Sequence, residues 1–384
     1  EQEQLVEMVE LSNVKEPSEL KRRVESVAET AQRSLSLERG PVARFVYFQL
    51  PEEKSTMLVV IHHMAVDGVS WRILAEDMAV ACEQVVQSRD IQLPPKTTSF
   101  RRWAQVLNSA SNLDSTLAHA AFWRDTLNSI PTSFLENGLP APTYAEMKTA
   151  HISLSATDTS TLLTEACSAF RAHINDVLLA ALAIAFARSS CGHILPMSLE
   201  GHGREEEVTP GGVDISRTIG WFTSIFPVCL SLKDVDINDL ASAIKTVKEQ
   251  LRAIPMRGIT YGLLRYMSST QLIGSVDQLA ERERVAAQVS FNYLGVFDGD
   301  LASGTFNTGT PVVLNMKSTH LIDINGGVYN GRFEFNFTFA PQCLKEHVHV
   351  PGIAEQFAAS LRELAELVKN DQLPNSGGCT PSDF

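Results

Sequence analysis

Apolar residues recur along the chain at two spacings, and the spacings predict the elements. Steps of three and four place Leu20, Val24, Val27, Ala28 and Ala31 on one stripe, predicting a helix over 18–35. Residues 41–50 read as a strand through Val42, Phe45, Tyr47 and Leu50. The near-continuous run over 56–62 reads as a buried strand. After Asp67-Gly68, the stripe Trp71, Leu74, Met78, Ala81, Cys82, Val85 predicts a helix packed on the core. Residues 99–128 continue helical past Trp103 and Trp123. Strands follow from Thr149, over 194–199, 288–294, 318–328 and 332–339. Helices are expected over 158–171, 175–188 and 349–369, the second apolar nearly all round and therefore buried.

Residues 129–146 carry Pro131, Gly138, Pro140 and Pro142 with little periodicity, which places the main linker there. The expected organisation is an N-terminal lobe over 1–145 and a C-terminal lobe over 146–384. Strands and helices mix without an internal repeat, so the fold class is α/β or α+β.

Composition narrows the function. Thirty-two basic against 45 acidic residues give a net charge of −13, which opposes nucleic-acid binding. The six cysteines form no C-x-x-C pair and no dense framework, so free thiols in a reducing, cytoplasmic setting are expected. No apolar run reaches membrane-spanning length. The polar start without Met suggests a piece of a longer chain.

Four constellations carry candidate chemistry. His62-His63 ends a predicted strand and opens an H-x-x-x-D-G pattern, His63 to Gly68. Strand neighbours point to opposite faces, so one of the two histidines is free for a cavity and a shared metal is disfavoured. Imidazole is the side chain most easily set as an acid or base near neutral pH. Asp67 reads as a second catalytic acid or, in preference, as an anionic helix cap or a buried partner of an arginine. Gly68 reads as backbone freedom for the turn, Ser70 as a further cap and Trp71 as core. In Glu200-Gly201-His202-Gly203-Arg204-Glu205, two glycines bend the backbone around a histidine, and Glu200 stands at a strand end where a carboxylate can enter a cleft; Glu205–Glu207 read as a solvated charge run. Arg217 to Val228 reads as a Gly bend before a β-prone stretch and includes Trp221. Phe291-Asn292-Tyr293-Leu294-Gly295 ends a strand, with Asn292 and Tyr293 on opposite faces and Tyr293 able to donate a hydrogen bond.

Together these segments resemble the condensation superfamily of nonribosomal peptide synthetases. The H-x-x-x-D-G-V-S-W form, E-G-H-G-R-E, R-T-x-G-W-F-T, P-x-x-G-x-x-Y-G around Pro255–Gly262 and F-N-Y-L-G resemble its epimerization branch, and the helix motif at Asn175–Ala181 and the ending Thr380-Pro381-Ser382-Asp383-Phe384 also match. The family's opening P-I-Q-x-W-F motif is missing, so a truncated first lobe is expected. The resemblance implies two chloramphenicol-acetyltransferase-like lobes in a V-shaped pseudo-dimer with a tunnel between them.

It further implies L-to-D epimerization at Cα of an aminoacyl or peptidyl residue. That residue is held as a phosphopantetheine thioester on a carrier protein, beside adenylation and condensation domains, without a cofactor or metal of the domain's own. Removing and returning an α-proton needs a base, an acid for the opposite face and a donor for the enolate oxygen. His63, Glu200 and Tyr293 are the candidates, and burial is expected to raise the Glu200 pKa. His62, Asp67, Gly68, Trp71, His202, Arg204, Arg217, Trp221 and Asn292 are expected to shape the site. Amide-forming condensation or acyl transfer, and non-catalytic docking of a carrier, remain open alternatives.

Overall fold

In the computed structural model, residues 6–268, 276–297, 312–370 and 379–383 are described. They form a mixed α/β structure with two sheets. By compactness they fall into two units. One takes the described residues up to Phe100, the segment Asp214–Phe222 and, at its margin, residues 312 and 313; the other takes the remainder. The boundary of compactness at Phe100 does not coincide with the expected lobe boundary at 145. The segment 129–146 is packed, with Ile130 and Leu135 buried and bridges from Glu136 to Leu344 and from Thr143 to Lys317.

The first unit carries a three-stranded sheet. β1 (Val6–Glu10) lies parallel to β2 (Ala43–Gln49), which pairs antiparallel with β3 (Ser55–Ile61). The connection between β1 and β2 is helix α1 (Pro17–Arg33). Its stripe Val24, Ala28 and Ala31 is buried, and Val24 and Ala31 pack with Leu11, Val46 and Phe48. β3 is only half-buried, against the expectation of a buried strand: it pairs on one side, and only alternate residues Leu58 and Val60 join this cluster.

The second unit carries a six-stranded sheet in the order β4-β9-β8-β7-β5-β6, built from β4 (Lys148–Ser153), β5 (Ile194–Gly201), β6 (Ser224–Ser231), β7 (Val289–Phe297), β8 (Ile322–Tyr329) and β9 (Arg332–Phe339). One face is apolar. Ile152, Leu199, Phe291, Ile324 and Phe337 lie in one core with the helices Ile174–Arg188 and Val350–Lys369. The first of these helices is buried continuously from Asp176 to Phe186, as its all-round apolarity requires. The opposite face presents Ser198 and Glu200, Ser290 and Asn292, Asp323 and Asn325, Asn336 and Thr338, Thr149 and His151. Such one-sided sheets read polar and apolar at alternate positions.

The expected single helical stretch over 99–128 is broken into α3 (Phe100–Ala110), a turn at Asp114–Leu117 and Ala120–Ser129; Trp103 and Trp123 are both fully buried. β1 and the helix Leu240–Arg252 were not anticipated. Among the described residues no single helix is long and apolar enough to cross a membrane.

Candidate active site

In the first unit, β3 runs into a single helical turn, His63–Ala65, and then into α2 (Gly68–Val86). The turn separates the two histidines. His62 Nδ1 accepts the Met64 N–H at 3.2 Å, which ties that ring into the turn. His63 is exposed, and its ring meets the edge of Trp221 at 5.4 Å between centroids.

Asp67 is 3% exposed and caps α2: its Oδ1 accepts the Ser70 N–H at 2.7 Å. Its other oxygen accepts the Phe222 N–H at 3.1 Å. Ser70 Oγ donates to the Gly220 carbonyl at 3.0 Å and lies 3.2 Å from the Gly220 nitrogen. The start of α2 therefore holds Gly220–Phe222, and that segment presents Trp221 to His63. Arg217 fastens the same segment through ion pairs to Asp77 and, at 3.3 Å, Glu76 on α2. Local pattern singles out Asp67, Arg217 and Trp221 separately; their joining depends on contacts some 150 residues apart and has no local signal.

Ser70 is a bridge rather than a cap. Gly68 begins α2 with no positive φ and open space where a Cβ would stand, so the turn does not require glycine. Trp71 is half-exposed, and of the expected core stripe Met78, Cys82 and Val85 are exposed. The buried side chains of α2 are Ser70 and Ile73, because the helix meets its unit chiefly at its first turn. Glycine is required at 220: a Cβ there would stand 2.3 Å from the Phe100 ring. We expect Gly220→Ala to destabilise the first unit by about 1–3 kcal/mol. A thermal unfolding midpoint equal to the parent's would overturn that account.

In the second unit, Glu200 is exposed near the end of β5 and accepts a hydrogen bond from Asn292 Nδ2 at 2.9 Å. The burial expected to raise its pKa is absent. Register explains the pair, since Leu199 lies beside Phe291 and the next residues share a face. Tyr293 leaves β7 on the opposite, helix-covered face, where its ring centroid is 6.0 Å from that of Phe333. The structure thus brings Glu200 together with Asn292 and separates both from the Tyr293 ring.

The loop after Glu200 is built around a carboxylate that the sequence disguised. Glu205 is 3% exposed, not solvated. Its Oε2 accepts from Arg257 at 2.6 Å and its Oε1 lies 3.3 Å from His202 Nε2. His202 Nδ1 accepts the Arg204 N–H at 3.0 Å, so Nε2 carries the proton that faces Glu205. The glycines have separate reasons: Gly203 has φ 64°, and a Cβ at Gly201 would lie 2.9 Å from Ser224 Oγ.

All six cysteines are free, and burial pushes the Cys167 and Cys191 thiols up to about 11, leaving them protonated near neutral pH. Among the described residues no group of three His, Cys, Asp or Glu side chains is placed to hold a metal ion.

Residues 1–372 match the family model of the condensation domain. The chain belongs to the condensation-domain family. It is 37% identical to a linear gramicidin synthase protein of Brevibacillus parabrevis over 386 residues, covering 98% of this chain and 5% of that protein. Surfactin synthase subunit 2 of Bacillus subtilis (strain 168) is 32% identical over 95% of this chain and 10% of its own length. The chain therefore spans a tenth or less of these synthetase proteins. The crystal structure of the epimerization domain from the third module of tyrocidine synthetase B superposes with a TM-score of 0.83 at 29% identity, covering 95% of this chain and 80% of that one. The first condensation domain of the calcium-dependent antibiotic synthetase shares the fold, with a TM-score of 0.65 at 16% identity over 97% and 77%.

Proposed function

We propose that this domain epimerizes, L to D, the Cα of an aminoacyl or peptidyl residue held as a phosphopantetheine thioester on a carrier domain. The observation that carries the reading is Glu200: an exposed carboxylate at a strand end, oriented by Asn292 and followed by a loop fixed through His202, Glu205 and Arg257. The likeness to the tyrocidine synthetase epimerization domain supports it.

The thioester carbonyl delocalises the charge left when the α-proton departs. Glu200 takes that proton or returns it on one face. His63, held beside Trp221, serves as the opposite acid/base or as donor to the enolate oxygen. Tyr293, expected to supply the remaining hydrogen bond, has its ring on the helix-covered face and is left out of this step. The domain works in two lobes without a cofactor of its own, in the cytoplasm, beside adenylation and condensation domains.

The test is α-proton exchange in deuterated water, using the full-length protein with its carrier domain loaded with an L-aminoacyl or peptidyl thioester. Deuterated D product is expected, falling by about 10²–10⁴-fold in His63→Ala. Amide formation with an added amine and no exchange would assign the chain to condensation. Carrier binding with neither reaction would leave it a docking module.

A further inference from the structure

The partner of Glu200 is the first member of a longer row. Asn292 on β7 is in register with Asn325 on β8, Asn325 with Asn336 on β9, and Asn336 with His151 on β4. Register partners share a face, so Glu200, Asn292, Asn325, Asn336 and His151 form one line across five strands, on the face opposite the helices. Both ends are hydrogen-bonded. Asn292 donates to Glu200 at 2.9 Å, and His151 Nδ1 lies 3.0 Å from Asn336 Oδ1; that oxygen only accepts, so the imidazole donates.

Solvation alone does not explain this composition. Asparagine is depleted in strands, where Thr, Val and aromatic residues fit better. Three registered asparagines on consecutive strands therefore run against local preference. They also give the row a defined chemistry. Each carboxamide has two N–H donors and an accepting oxygen, and among the described residues two bonds at the ends leave most of these groups over. Neutral, paired donors and acceptors complement peptide amides. Between its acid end and its imidazole end the line carries no charge.

We infer that the line Asn292–Asn325–Asn336–His151 holds the backbone of a peptide upstream of the residue at Glu200, making the substrate class peptidyl rather than aminoacyl thioesters. This rests on the reading of Glu200 as the acid/base. Length agrees. Strands lie about 4.8 Å apart, so four spacings reach about 19 Å, the span of roughly five to six extended residues at about 3.4 Å each. A single aminoacyl group would reach only the Glu200–Asn292 end.

The experiment compares α-proton exchange on a tetrapeptidyl and an aminoacyl thioester, each loaded on the carrier of the full-length protein. The parent is expected to prefer the tetrapeptide. Two lost hydrogen bonds correspond to about a tenfold change, so N325A/N336A is expected to lower the peptidyl-to-aminoacyl ratio of kcat/KM about tenfold. N336S, at an exposed position, lowers it less and guards against a folding defect, which would depress both substrates together. A ratio within twofold of the parent's, or a parent that prefers the aminoacyl substrate, overturns the inference. If the parent exchanges neither substrate, the epimerase reading fails separately. Binding of an unreactive, amide-linked tetrapeptidyl pantetheine then decides the row: weaker binding to N325A/N336A sustains it, and equal binding overturns it.

Discussion

Glu200→Gln is expected to cut α-proton exchange by about 10²–10⁴-fold, the usual contribution of a positioned acid or base. Glu200 is exposed, and its carboxylate accepts from Asn292, a bond that a glutamine oxygen at the same position also accepts. Neither the β5–β7 register nor the apolar face below depends on its charge. The thermal midpoint and carrier binding should therefore stay at parental values while exchange is lost. An exchange rate equal to the parent's would remove Glu200 from the mechanism. A lower midpoint would show that the carboxylate stabilises the fold.

Local pattern exposed some of this site and hid the rest for definite reasons. The histidine turn, the carboxylate at the end of β5 and the bend after it are short-range features: a cap residue, a strand end and a left-handed glycine each leave a mark within five residues. The opposite faces of Asn292 and Tyr293 follow from alternation alone. Burial was harder. Three consecutive glutamates look alike in sequence, yet Glu205 is enclosed because His202 and Arg257 converge on it, and Arg257 is 52 positions away. The stripe on α2 has helical spacing, but spacing states only that a face exists, and none of its members is buried. The asparagine row was invisible because each member sits on a separate strand and only the sheet register aligns them. Pattern within an element is written in the sequence; the pairing of elements 30 to 190 residues apart is a tertiary outcome.

The ending Thr380-Pro381-Ser382-Asp383 illustrates the same limit and supports the largest stability effect we expect. Lys248 lies on the buried side of the helix Leu240–Arg252, among Leu240, Ala241, Ala243, Ile244 and Val247, and is fully buried. An ammonium there is tolerable only if its hydrogens are bonded. It donates to the Phe170 carbonyl and to Asp383 Oδ2, both at 2.7 Å. Asp383 also accepts from Arg252 at 2.6 Å and from the Thr380 N–H at 2.7 Å. Lys248→Ala removes both of these hydrogen bonds and the packed stem, while Arg252 and the Thr380 N–H still hold Asp383, so a cost of about 2–4 kcal/mol is expected. At roughly 1 °C per kcal/mol for a chain of 384 residues, the thermal midpoint should fall by about 4 °C. Lys248→Met, which fills the space without charge, should recover part of the loss. Hydrogen bonds from Lys248 and Arg252 hold the Asp383 carboxyl well below its ordinary value of 3.8. A carboxylate with a depressed folded pKa stabilises the fold above the unfolded value, and that stability is lost as pH falls below it. The parent should therefore lose stability below about pH 4 more steeply than Lys248→Ala, in which one of the groups that depress the Asp383 pKa is gone. Equal midpoints at pH 7, or parallel acid profiles, would show that residues 379–383 are not held by this pair.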